Sequence, residues 1–259
     1  MNRAASTSRA VLSQWKSSTL EFLRSKLYVG LLAAGLLLVA AAASLAELSL
    51  GETVATLADI GMAFVALTVA ALGGAVTISS VSRAIASREV IVILARPVGR
   101  DAFVIARFLA SATLVIAANV ILGSVLAGLV GFMGGPALRT FLAVLFSSFE
   151  GLIVAGIALT FAARSPSVLS ASLTVVAFVL GRMDGAFKVL LDKGTFGVME
   201  QPMRVIHHVL PQLSRFDLTA WVHGDAPTSS VLWSVGYGLV YTTTMVTLAS
   251  WRFRGRDIL

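Results

Sequence analysis

One acidic residue, Glu150, lies near the middle of a long apolar stretch, LFSSFEGLIVAG. A charged acid at the centre of a membrane helix costs about 2.5–3.5 kcal/mol on insertion scales, so its presence calls for an explanation. Glu150 either lines or gates a polar path, or it is a protonated carboxyl bonded to a hydroxyl on a neighbouring helix, with residues 241–244 as candidates. No other acid or histidine lies deep in an apolar stretch, which argues against proton-coupled transport by Glu150 alone.

A second group of side chains has the spacing of a metal site. Met199, Met203 and His207 recur every four residues, and thioether with imidazole favours Cu(I). Pro202 would disturb a helix running through them, and methionines on such a face also serve packing or membrane contact. The chain has no cysteine, and no zinc-hydrolase or Ser-His-Asp pattern is present. We therefore predict neither a metal nor a catalytic residue, and expect no enzyme activity of this chain.

The composition identifies the solvent of these residues. Hydrophobic residues make up 57% of the chain and charged residues 13%, whereas soluble domains carry about 25% charged residues. So much apolar surface cannot be buried in water, and the bilayer must be the solvent. The net charge of +7 follows from basic residues near the ends of the apolar stretches, and it does not indicate nucleic-acid binding.

Six apolar stretches are long enough, or nearly long enough, to cross a bilayer, which takes about 20 residues. Backbone groups in lipid must bond internally, so each stretch is predicted to be a helix. The sequence therefore predicts a single all-α integral membrane domain over residues 1–259. Its predicted spans are residues 27–46, 60–79, 104–129, 141–163, 167–181 and 231–250.

Lysine and arginine residues predict the orientation, because they accumulate on the cytoplasmic side. They are concentrated before the first span, between the second and third spans, and after the last span. Both termini are then cytoplasmic, and the connection between the fifth and sixth spans is an extracytoplasmic helical region. Residues 10–26 place apolar side chains at helical spacing among basic ones, which predicts a helix lying on the cytoplasmic face of the membrane.

The loop between the second and third spans, SREVIVILARPVGRDAF, is too apolar for an ordinary loop and too short for a span. Residues 90–94 can form a short helix, which Pro97 and Gly99 end, and Asp101 can cap the next helix. This short helix suits a socket on a partner protein, because apolar side chains give affinity and flanking charges give register. The alternative is a tight turn whose arginines serve topology alone.

The same loop, continued as SREVIVILARPVGRDAFVIARFLA, resembles the signature loop of ABC-2-type permeases, the membrane subunits of a large class of ABC exporters. Glu89, Pro97 and Arg100 match the acidic residue, proline and arginine of that signature. The segments VLPQLSRFDLTAWVHGDAP and WRFRGRDIL are similar to the last third of permeases grouped with the multicopper-enzyme-maturation transporters. That second similarity is carried by Pro211, Phe216, Asp217, Arg254 and Asp257.

The resemblance implies that the loop is a coupling helix that docks on a separate ATPase subunit. Its docking residues would be Arg88, Glu89, Val90, Ile91, Ile93, Leu94, Arg96, Pro97 and Arg100. This sequence contains no G-x-x-x-x-G-K-[ST], so ATP and Mg²⁺ would be bound by the partner.

The implied assembly has two ATPase copies and a second copy of this chain or a related permease, in the lipid of the cytoplasmic (inner) membrane. An extracytoplasmic accessory protein is a further candidate partner. The expected function is export of a substrate. The alternative is a membrane scaffold or mechanotransmitter that drives an extracytoplasmic partner without moving a substrate.

Overall fold

The structure, a computed structural model of the chain, describes residues 2–49, 51–86, 100–185, 210–224 and 230–254, together with residues 189 and 201. The regular structure of these residues is entirely helical. The helices are α1 (Asn2–Leu23), α2 (Lys26–Ala46), α3 (Thr53–Ala86), α4 (Arg100–Phe132), α5 (Ala137–Phe146), α6 (Ser148–Ala162), α7 (Ser167–Arg182), α8 (Thr219–Val222) and α9 (Ser230–Arg254), with a 3₁₀ turn at Leu213–Phe216.

Five helical segments are long and apolar enough to cross a bilayer: Lys26–Ala46, Thr53–Ala84, Asp101–Phe132, Ala137–Ala162 and Val231–Phe253. They contain five of the six predicted spans, and they are what a multi-pass membrane protein requires. The predicted fifth span corresponds to α7, which has 16 residues and is about 24 Å long. That length is short of a hydrocarbon core of about 30 Å, so six spans remain a prediction.

The N-terminal helix is longer than the predicted residues 10–26, and it ends before Ser25, whose hydroxyl caps α2 by accepting a hydrogen bond from Tyr28 N. Phe22 is buried, and Trp15 Nε1 donates a hydrogen bond to Thr113 Oγ1 on α4 at 3.0 Å. Much of the apolar face that predicts membrane contact is therefore covered by α4, although Leu12 and Leu23 stay exposed.

The centre of the bundle is the contact between α3 and α6, where two glycines allow the backbones to approach. A Cβ atom on Gly73 would lie 2.5 Å from the carbonyl oxygen of Gly151, and one on Gly151 would lie 2.6 Å from Val69 Cγ1. Small residues at such crossings are typical of membrane helices. This close approach fixes the position of the first turn of α6, which carries Glu150.

Candidate functional site

Most of the residues predicted to dock on an ATPase, residues 88–97, lie outside the described residues. Arg100 is described only as the first residue of α4. The weak metal candidates Met199, Met203 and His207 also lie outside the described residues. Among the predicted site residues, Glu150 is the one whose surroundings can be described in full.

The predicted fourth span is not one continuous helix, because it is interrupted at Ser147 between α5 and α6. The buried Asn119 of α4 donates from Nδ2 to the carbonyl oxygen of Val144 at 2.7 Å and to Ser148 Oγ at 2.6 Å. Ser147 Oγ donates to the same Val144 oxygen at 2.7 Å. Side chains inserted into the backbone hydrogen-bond ladder are a known cause of helix kinks. Asn119 and Ser147 thus account for the break just before Glu150.

Glu150 is paired with a cation on the next helix. Its side chain is 1% exposed, and Oε1 lies 3.0 Å from Nε of Arg182, the last residue of α7. The sequence suggested a hydroxyl partner among residues 241–244, and the structure instead gives an arginine. A buried carboxylate is strongly destabilising when it stands alone, and a close guanidinium compensates its charge.

Arg182 also reaches a second carboxylate. Its Nη1 lies 3.5 Å from Asp217 Oδ2, in the segment that follows the 3₁₀ turn. The three side chains become steadily more exposed, from Glu150 at 1% through Arg182 at 26% to Asp217 at 47%. The guanidinium therefore connects a buried acid to one in contact with solvent.

The segment of residues 211–223 belongs to the connection that is predicted to be extracytoplasmic, and part of it is buried against the bundle. Phe216 is buried, with its ring centroid 5.7 Å from those of Phe146 and Phe149. The backbone N–H of Gln212 donates to the hydroxyl of Tyr237 on α9 at 2.9 Å. Residues 212–216 are thus fixed against the two halves of the fourth span and against α9.

A cavity of about 40 Å³ lies beside the Glu150–Arg182 pair. It has room for about two or three water molecules. Asp59, Met62 and Ala66 of α3 form one wall, Ser147 and Glu150 another, and Arg182, Asp217, Leu218 and Thr219 complete it. Three carboxylates and one guanidinium face this space, so it is a polar site in an apolar bundle. Among the described residues, no group of three or more His, Asp or Glu side chains is arranged to hold a metal ion.

A second polar cluster lies at the end of the bundle from which residues 87–99 extend. Arg107 of α4 is 4% exposed and faces the rings of Phe22 and Phe103, with its guanidinium carbon 5.8 and 5.3 Å from their centroids. Glu21 lies 3.3 Å from Arg83 and 3.9 Å from Arg107. This cluster joins α1 to the two helices that flank residues 87–99.

The sequence pointed to Glu150 but not to Arg182 as its partner. The signal was present, because α6 and α7 are consecutive helices joined by residues 163–166. Glu150 lies twelve residues before the end of α6, and Arg182 lies fifteen after the start of α7, which is about 18 and 22 Å along the two helices. If the two helices are antiparallel, these side chains come to similar heights.

No protein-family model matches the chain, and no curated protein matches it significantly.

Proposed function

We propose that this chain is the membrane subunit of an ABC exporter of the ABC-2 permease type, driven by ATP hydrolysis on a separate ATPase. The observation that carries the proposal is the sequence of residues 87–100, an acidic residue, an apolar run, a proline and an arginine, placed between two membrane helices. In this proposal the chain crosses the inner membrane six times, with both termini in the cytoplasm, and works as a dimer with two ATPase copies.

The lengths of α3 and α4 support a docking role for the loop that joins them. They have 34 and 33 residues and are about 50 Å long. A hydrocarbon core is about 30 Å thick, so untilted helices of this length extend about 20 Å beyond it. In this proposal the end bearing residues 87–99, where Glu21, Arg83 and Arg107 lie, extends into water. In this proposal that end of α3 and α4 is accessible to a soluble subunit.

A second candidate function is mechanical transmission to an extracytoplasmic partner. The observation in its favour is the size of the cavity at Glu150, which at about 40 Å³ holds a few waters and no larger solute. Reconstitution with the ATPase separates the two functions. An exporter's ATP turnover responds to a transported solute or lipid, whereas a transmitter's turnover responds to a partner protein on the far side.

The docking role is tested by Ile93→Asp, which places a charge in the apolar run. We expect the ATPase subunit to be lost from pull-downs while the chain remains inserted and dimeric, because one charge disrupts an apolar docking patch. Leu23→Asp is the matched control, since Leu23 is an exposed leucine of α1 outside the loop, and this variant should retain the ATPase. An unchanged yield for Ile93→Asp would show that residues 87–99 are only a turn.

A further inference from the structure

The second half of the 211–223 segment, residues 217–223, covers the cavity at Glu150. Asp217, Leu218 and Thr219 all line it, and Glu150 and Arg182 line it from the bundle side. Thr219 begins the four-residue helix α8, whose last residue, Val222, is buried in the same apolar core as residues of α2 and α3. A short piece of chain thus covers the cavity, and its buried Val222 anchors it in the apolar core.

This piece of chain is attached at both ends by pairs of charged or polar side chains. At one end Asp217 contacts Arg182 at 3.5 Å. At the other end His223 Nε2 contacts Asp59 Oδ1 on α3. Asp217, His223 and Asp59 are each more than a third exposed. Water can therefore replace these contacts on release more readily than it could in a fully buried pair.

Phe216 provides a fixed point next to this piece. Its ring stacks on Phe149 and lies against Gly238, where an added Cβ would be 3.1 Å from the ring. The chain before residue 217 is therefore held in the bundle, whereas the chain after it is held by the two exposed pairs, by the buried Val222 and by the partly buried Leu218 and Trp221.

Arg182 contacts two acids, and this makes release of Asp217 from it physically feasible. When Asp217 leaves, Arg182 still compensates the buried Glu150 at 3.0 Å, and Asp217 moves from partial to full hydration. Release of Asp217 therefore leaves no buried charge without a partner. Breaking an ion pair is strongly destabilising when it does leave one.

We propose that residues 217–223 are a lid that opens about Phe216 and admits water to the Glu150–Arg182 pair. The lid is a property of the bundle itself, and it does not depend on the chain being an ABC permease subunit. Opening of the lid would let water reach Glu150 and would leave the α3–α6 contact at Gly73 and Gly151 in place.

The chain has no cysteine, so a single introduced thiol can report on the cavity. Ser147→Cys exchanges oxygen for sulfur at a residue that lines the cavity and is mostly buried. In purified protein in detergent, the reaction rate with a small charged maleimide measures how often the lid opens. Adding Asp217→Asn should raise this rate about fivefold, the equivalent of about 1 kcal/mol.

Two controls test whether the change in labelling rate is confined to the lid. Glu47→Gln removes an exposed acid at the end of α2 and should leave the Ser147→Cys rate unchanged. Thr160→Cys lies further along α6, against Met245 of α9, and its rate should not respond to Asp217→Asn. The lid is refuted if Asp217→Asn leaves the Ser147→Cys rate unchanged, or if it raises the Thr160→Cys rate equally.

A second variant serves if Asp217→Asn does not accumulate. His223→Ala removes the imidazole that contacts Asp59, and the same labelling experiment applies. A faster Ser147→Cys reaction supports the lid, and an unchanged rate overturns it. Because this assay uses the chain alone, its outcome is independent of whether an ATPase binds residues 87–99.

Discussion

Arg107 is buried and Arg182 is about a quarter exposed, and their charges are compensated in different ways. Arg107 faces two phenylalanine rings, and the carboxylate of Glu21, 3.9 Å away, is about half exposed. Arg182 lies 3.0 Å from Glu150, a carboxylate with almost no solvent contact. Arg107 thus lies against ring faces and a surface acid, whereas Arg182 lies against a buried carboxylate. The same substitution should therefore be mild at one position and severe at the other.

The largest expected effect is that of Arg182→Met. Methionine fills part of the space but leaves Glu150 buried without a cation, which typically destabilises a protein by about 3–5 kcal/mol. Unfolding of the purified protein in a detergent titration should show a loss of that size. A loss below about 1 kcal/mol would mean that Glu150 is not held by this pair.

A double variant sharpens this test. Glu150→Leu combined with Arg182→Met removes both charges, and replacing a whole buried pair by apolar residues is often neutral or stabilising. The double variant should therefore be more stable than Arg182→Met alone. If it is no more stable, the loss in the single variant comes from packing or from Asp217 rather than from the uncompensated carboxylate.

Glu150→Gln should have an intermediate effect. The amide keeps an acceptor oxygen for Arg182 but loses the charge, which should lower the free energy of unfolding by about 1–3 kcal/mol. Measured together with ATP turnover of the assembled complex, this variant separates two roles. If Glu150 has only a structural role, ATP turnover falls only in proportion to the amount of assembled complex. A loss of stimulated ATP turnover in a fully assembled complex indicates that the charge or proton of Glu150 takes part in the polar path through the membrane.

Arg107→Met should have the smallest effect of the three. It removes the cation–π contacts with Phe22 and Phe103, which are worth about 1–2 kcal/mol at a desolvated site, and Glu21 keeps Arg83 as a partner. The same detergent titration measures the loss. A loss as large as that of Arg182→Met would contradict the contrast between the two arginines.

The helices were predictable because their apolar stretches are long and nearly uninterrupted. Five of the six predicted stretches lie within single helices, and the fourth covers two consecutive helices with a break at Ser147. The break at Ser147 was not predicted, because no proline marks it and its cause, Asn119, is hydrogen-bonded to Val144 from 25 residues away in the chain. Such tertiary hydrogen bonds leave no local pattern in the sequence.

Only part of the candidate site was predictable from the sequence, because its other contacts are also tertiary. An acid in an apolar stretch is visible in the sequence, so Glu150 was found. The burial of Phe216 and the contact between Asp217 and Arg182 depend on how residues 211–223 turn back onto the bundle. Their polar and aromatic sequence is equally compatible with a loop in water, so the sequence alone does not predict that they pack on the bundle.

The most direct test of the proposed function is purification of the full chain from its own membrane, with every co-purifying subunit quantified by mass spectrometry. The account predicts a separate P-loop ATPase in equal amount with this chain, and ATP turnover that disappears when the two are separated. Recovery of the chain without any nucleotide-binding subunit, or ATP hydrolysis by the chain alone, would contradict it.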